Sequence, residues 1–196
     1  MGASASKRFD TNKEELVKNI DLACCRVKLL RKRLENELAT TYQAINSNGD
    51  DAHIKAEQSI YQENTLHVLE HLTKDLNLLK ARKHLIGREI DAQIKPCIAT
   101  VFHCAERLDV PELRVIVTVL RQMYGKDLKP LPDSELINKL NPRPPTTPEI
   151  KRQIDKVNQL VRSSVSTRPA IEKITTSTNK RTELDDLLER IRRLRS

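Results

Sequence analysis

At 196 residues and 22.5 kDa, the chain has the length of one ordinary domain with an appendage. An aromatic content of 3% with no tryptophan leaves Leu, Ile, Val and Ala to build the core, which disfavours a β-sandwich and predicts an all-α protein. A formal charge of +8 points to an anionic partner, whether nucleic acid, an acidic membrane face or an acidic protein surface, without choosing among them.

The sequence opens MGASASKR, where Gly2, Ser6 and the following Lys7 and Arg8 fit the N-myristoylation pattern and make Gly2 a candidate lipidation site. One acyl chain holds a membrane only marginally, so Gly2 would need a basic surface as its second anchor. The bland alternative is a frayed end of small residues, and residues 1–10 are read as a flexible N-terminus. No apolar run reaches the length of a membrane span and charges interrupt the first thirty residues, so neither a span nor a secretory signal is expected, and a cytoplasmic location is.

None of the nine prolines precedes Pro96, and between Gly2 and Gly87 the only glycine is Gly49, in the turn string NSNGDD. That pattern predicts two long helices joined as a hairpin. The first begins at Thr11, which with Glu14 forms a capping box, and carries Leu16, Ile20, Val27, Leu30, Leu34, Leu38 and Ile45 at helical spacings. The second begins at Asp50 or Asp51, places Ile54, Tyr61, Val68, Leu72, Leu76, Leu79 and Ile86 on one side, and ends at Gly87. Shorter helices follow at 96–107 from Pro96, at 111–124 from Pro111 to Gly125, and near 133–140. After the breaker run NPRPPTTPEI, Thr147 is read as the cap and Pro148 as the first residue of a helix reaching about 161. The helical domain is thus assigned to 11–161, a Ser/Thr-rich flexible linker to 162–181 and an interacting helix to 182–196.

Catalytic signals are scarce. HVLEH at 67–71 has the H-x-x-E-H form of inverted zinc proteases, with His67 and His71 one turn apart, but no third ligand or downstream motif accompanies it, so ordinary helix residues explain it better. Cys24, Cys25, Cys97 and Cys104 form no C-x-x-C pair and no zinc spacing, which predicts reduced, packed thiols, with no metal and no cofactor. No phosphate-binding glycine loop or nucleophile elbow occurs, and no enzyme activity is expected.

Two stretches point to binding instead. Arg26, Lys28, Arg31, Lys32 and Arg33 crowd RVKLLRKR on the first helix, as a membrane or polymer contact or else as a solvated face balanced by Glu35 and Glu37. A basic helical nucleic-acid-binding protein is the alternative, although the scarcity of aromatics for base stacking argues against specific readout. The closing ELDDLLERIRRLRS sets Leu187, Ile191 and Leu194 in one apolar stripe, with acids leading and arginines trailing as the helix dipole favours. On a tether reaching roughly 25 Å by random-coil scaling, such a helix suits a groove on another protein or on its own domain.

The terminal string resembles the type 1 MIT-interacting motif, with Leu187, Arg190, Ile191, Leu194 and Arg195 on the pattern positions. The body resembles the increased-sodium-tolerance (Ist) family of ESCRT-III-like proteins, through Glu57, Ile60, Glu70 and LLKARKHLI at 78–86, then PEL at 111–113, YGK at 124–126 and INKL followed by PP at 137–145. The resemblance implies an ESCRT-III-like helical bundle built on a long antiparallel hairpin with a tethered C-terminal helix. It implies a non-enzymatic adaptor that binds charged multivesicular body (ESCRT-III) proteins, forms homo- or hetero-polymers on acidic membrane surfaces, and engages the MIT domain of the vacuolar-sorting AAA ATPase. Endosomal membranes and the midbody are the implied locations, in endosomal sorting, membrane remodelling and abscission.

Overall fold

The computed structural model describes residues 2–47, 51–125, 128 and 134–166, with side chains described from 7 up to 162. Among them it forms six α-helices and one short 3-10 turn, in the order α1 (Gly2–Asn46), α2 (Ala52–Ala81), the turn Lys83–Leu85, α3 (Lys95–Ala105), α4 (Pro111–Tyr124), α5 (Ser134–Leu140) and α6 (Thr147–Ser166). The all-α expectation holds.

The hairpin is antiparallel, and its register is fixed by polar rungs: Lys80 meets Asp21 at 2.6 Å, Arg31 meets Glu70 at 3.4 Å, and the Tyr42 hydroxyl donates to Glu63. α4 lies against the other side of α1, so α1 is buried on two sides. Leu16, Ile20, Val27 and Ile45 are buried as the seam predicts, and Leu22, Ala23, Cys24 and Cys25 are buried in addition. α3 packs on α2 and α4, α5 on α2 and α3, and α6 on α2 and α1. Two separate cores result. The larger joins α1 to α5 around Leu72, Leu76, Ile94, Leu113 and Ile116; the smaller joins the hairpin tip to α6 through Ile45, Ala56 and Val157.

Several boundaries differ from those the sequence predicts. α1 starts at Gly2 rather than Thr11, so residues 2–10 are helical; Thr11 does not cap, and its Oγ1 donates back to the Lys7 carbonyl 3.0 Å away. Tertiary contact helps to hold these extra two and a half turns in place, since the Phe9 ring meets Tyr124 edge-on at 6.4 Å. α2 stops at Ala81, six residues before Gly87, as the chain turns to bury Ile86 and Ile94 beneath α1. The Gly87 carbonyl instead accepts from the Tyr124 hydroxyl at 2.9 Å. Ile54, placed on the inner side by periodicity, is 64% exposed, because the apolar surface at the tip is taken up by Ala56 and Ile45 against α6.

α4 matches its predicted limits at both ends, and its stop has a clear cause. Gly125 sits at φ 102° and ψ 158°, a conformation open essentially to glycine alone. Nothing lies within 4 Å of a Cβ added there, so Gly125→Ala would be penalised by backbone strain alone. We expect a loss of about 1–2 kcal/mol in urea unfolding; an unchanged midpoint would refute the assignment.

Candidate functional site

The sequence segments quoted for the family resemblance are spread along the chain, and the fold brings two of them, that of Ile60 and the INKL-to-PP run, to one place. Ile60 on α2, Asn138 on α5 and Pro145 in the α5–α6 connection line a cleft of about 730 Å³ that α6 closes with Gln153 and Lys156. A smaller recess of about 60 Å³ lies between His67, Val68 and His71 on α2 and Glu135, Leu136 and Lys139 on α5. The apolar side of the cleft is Ile60, Pro142 and Pro145 and its rim carries Arg143, Glu149 and Arg152, while Val68 and Leu136 at the recess are buried.

The connection is held rigidly where it borders the cleft. Proline at 142, 144 and 145 limits the backbone, and the cap of α6 is Thr146 rather than Thr147. The Thr146 carbonyl accepts from Ile150 N at 3.0 Å, while the Thr146 amide and hydroxyl both donate to Glu149 at 2.7 Å, a capping box one residue earlier than predicted. Arg143 adds a two-pronged contact to the same carboxylate at 2.6 and 3.2 Å. Accepting the Thr146 amide, the Thr146 hydroxyl and Arg143 holds the Glu149 carboxyl down at about 2.

On the α6 side, Glu63 is the hub. It accepts from Lys156 at 2.8 and 2.9 Å, from Gln153 and from the Tyr42 hydroxyl, while Gln153 also donates to the buried Ser59 hydroxyl at 3.1 Å. Burial alone would raise the Glu63 carboxyl, but these donors outweigh it and lower it. Burial pushes Tyr42 upward, helped by its contact with Glu63.

The basic cluster on α1 divides into different roles. Arg26 faces inward: its Nε and Nη2 donate to the two oxygens of Glu112 at 2.6 and 2.8 Å, and Glu112 is only 4% exposed. That pair fastens α4 to α1 and meets the Arg26 charge within the fold, with 30% of its side-chain surface left exposed. Arg31 pairs with Glu35 and Glu70, and Arg33 pairs with Glu37, so part of their charge is met within the fold. Lys28 and Lys32 are exposed on the same stretch.

His67 is exposed, and His71 lies 3.4 Å from Asp75 across one turn of α2. No group of three or more His, Cys, Asp or Glu side chains suited to a metal occurs among the described residues. The four cysteines are buried free thiols. Burial, reinforced by nearby carboxylates, pushes Cys24 and Cys97 up to about 11 and Cys104 up to about 12, so they pack as small apolar groups. Among the described residues no helix is long and apolar enough to cross a membrane. The backbone of Gly2 opens α1, and the motif residues Leu187, Arg190, Ile191, Leu194 and Arg195, with most of the linker, lie outside the described residues.

Comparison with known proteins gives these features a context. Residues 18–163 match the Ist1 family model, described as "Regulator of Vps4 activity in the MVB pathway". An IST1-like protein of Dictyostelium discoideum is 25% identical over 131 residues, covering 63% of this chain, which spans 36% of that relative's length. Among solved structures, the S. cerevisiae Ist1 N-terminal domain, crystallised in complex with a Did2 MIM motif, superposes with a TM-score of 0.67 at 14% identity, over 83% of this chain and 98% of the other. At that identity the likeness establishes the fold alone. The family model spans most of the chain and the helical architecture agrees with it: the chain belongs to the Ist1 family.

Proposed function

We propose that the chain is a non-enzymatic adaptor with two handles, a cleft that takes a helical motif from an ESCRT-III (charged multivesicular body) protein and a tail that recruits the MIT domain of Vps4, the vacuolar-sorting AAA ATPase. The observation that carries the first handle is the convergence of Ile60, the INKL segment and Pro145 on the cleft between α2, α5 and α6. The apolar side chains Ile60, Pro142 and Pro145 within a charged rim suit the apolar stripe of an amphipathic helix. The yeast relative's complex with a Did2 MIM motif supports this reading. The second handle rests on the sequence Leu187, Arg190, Ile191, Leu194 and Arg195. The family's description supports the ATPase as its target.

The deciding experiment titrates the full chain, and the chain lacking 181–196, with the isolated MIT domain. Micromolar binding by the first, lost in the second, is the expected result. Equal binding by both would move the contact into the helical body, and no binding by either would remove the ATPase from the proposal.

A membrane role rests on α1. Lys28 and Lys32 are exposed, and Arg31 and Arg33 sit in ion pairs with acids beside them. Replacing Arg31, Lys32 and Arg33 with Glu reverses the charge of this stretch and leaves the Arg26 contact to Glu112 intact. Co-sedimentation with phosphatidylserine vesicles should fall to the level of neutral vesicles, since each basic residue near an anionic surface contributes about 1 kcal/mol. Retained binding would place the contact elsewhere. An acyl chain on Gly2 would be its second anchor, and endosomal membranes and the midbody are the sites where such an adaptor would act, either by itself in a polymer or with its partners.

A further inference from the structure

Thr147 is the only serine or threonine in the sequence that a proline follows directly. A second proline stands two positions before it, so Pro145, Thr146, Thr147 and Pro148 form a P-x-T-P string. Each proline has a physical meaning for an enzyme that must hold this segment. Pro148 presents no N–H, so a kinase groove that offers no acceptor at that point takes proline there and rejects residues whose amide would be left unpaired. Pro145 keeps the incoming chain extended, the form in which a peptide lies in such a groove.

The fold leaves this hydroxyl accessible. Thr146 and not Thr147 caps α6, with its amide and hydroxyl both donating to Glu149 at 2.7 Å. Thr147 is exposed at the first position of α6, directly after residues 142–146, which have no regular structure. Because a proline follows it, its backbone is biased away from the helical region, and a helix end of this kind frays easily.

The surroundings define what a phosphate at this position would do. Its chain neighbours Pro145 and Glu149 both line the cleft between α2, α5 and α6. Arg143 is held to Glu149 at 2.6 and 3.2 Å, and Lys151 is exposed one helical turn beyond Thr147 on the same face of α6. The Glu149 carboxyl, kept at about 2 by the Thr146 and Arg143 donors, is fully charged at neutral pH. A phosphate adds a charge of about −1.5 to −2, which repels Glu149 and competes with it for Arg143.

We propose that Thr147 is a phosphorylation site for a proline-directed protein kinase, and that its phosphate reverses the charge of the cleft's rim. In the transfer, Thr147 Oγ1 attacks the γ-phosphorus of a nucleoside triphosphate. The bond from that phosphorus to the β,γ-bridging oxygen breaks, the nucleoside diphosphate leaves with the electron pair, and the hydroxyl proton passes to the kinase's catalytic carboxylate. The rim carries two bases, Arg143 and Arg152, and one acid, Glu149, so the added charge tips it from net positive to net negative. The effect of this reversal on binding rests on the reading of the cleft as a helix receptor: a helix with a basic flank gains and one with an acidic flank loses.

The test incubates the full chain with ATP and a purified mitogen-activated protein kinase and reads intact mass and peptide fragmentation. A single phosphate on Thr147 is the expected result. Pro148→Ala keeps the hydroxyl and should slow incorporation by about tenfold, and Thr147→Ala should abolish it. No incorporation, incorporation at another residue, or a Pro148→Ala chain modified as fast as the unaltered one overturns the proposal. The phosphorylated and unphosphorylated chains are then titrated at low salt with two synthetic amphipathic helices that share one leucine stripe and carry either an acidic or a basic flank. Phosphorylation should shift the preference toward the basic-flanked helix by about fivefold. An unchanged preference overturns the charge reversal. If neither helix binds either form, the receptor reading fails and takes the reversal with it, while the modification of Thr147 stands.

Discussion

Arg26→Ala is expected to destabilise the folded chain by about 3 kcal/mol. The cause is asymmetric burial. Glu112 is 4% exposed and held by both guanidinium nitrogens, while Arg26 keeps 30% of its side-chain surface, so removing the arginine leaves a carboxylate in the core without its two charge-assisted bonds. The contact to Glu112 raises the Arg26 pKa further above its ordinary value, against the opposing effect of burial. Arg33→Ala provides the comparison: Arg33 is 78% exposed and pairs with Glu37 one turn away, so its loss should change stability by less than about 0.5 kcal/mol. Urea unfolding of the two variants checks both values. If they proved equal, the Arg26–Glu112 pair would not be what fastens α4 to α1. The double change Arg26→Met with Glu112→Leu should recover most of the loss, because an apolar pair of similar volume leaves no charge behind.

Leu194→Ala should weaken binding of the full chain to the MIT domain by about 2 kcal/mol, roughly 30-fold in Kd. A leucine that enters a groove as an anchor loses its burial and leaves an unfilled pocket, whereas the trailing Arg195 on the rim contributes less and chiefly at low salt. Arg195→Ala should therefore cost under about 1 kcal/mol, and less as ionic strength rises. Calorimetric titration at two salt concentrations separates the two behaviours. An unchanged affinity for Leu194→Ala would show that the apolar stripe is not the contact face.

Proline and glycine made the short helices readable. Pro111 and Gly125 bound α4 because one fits the first turn and the other takes a conformation that a side chain resists, and both effects are local to the sequence. The start of α1 was not readable on those terms. GASASKRFD has no strong helical periodicity, and its helix is supported by Phe9 against Tyr124, a contact between positions more than a hundred residues apart. The end of α2 failed for a related reason, since burial of Ile86 and Ile94 overrode a helical pattern that continued toward Gly87.

The site was legible in composition and not in arrangement. RVKLLRKR was visible as a basic run, but nothing near Arg26 in sequence distinguishes it from Lys28 or Arg33; its partner is 86 positions away. Conversely, Ile60 and the INKL-to-PP run stood out as separate strings, and only the packing of α5 and α6 on α2 shows them to be walls of one cleft. Glu63 was missed altogether. A lone glutamate between Gln62 and Asn64 reads as surface, and its role depends on Tyr42, Gln153 and Lys156 arriving from two other helices.

The division into two cores sets how the molecule responds to partial loosening. α6 is tied to the hairpin tip by Val157 against Ile45 and Ala56, with Ile150, Ile154 and Val161 around them, and by the contacts to Glu63. None of these residues belongs to the larger core around Leu72 and Ile116. The tip and α6 therefore form a subdomain with its own, smaller opening free energy, and excursions that detach α6 leave the rest of the bundle intact. In amide exchange this gives two classes of protection, with α6 and the adjoining turns of α1 and α2 exchanging ahead of α4. A protein so divided can expose a new helical surface at one end without passing through the unfolded state.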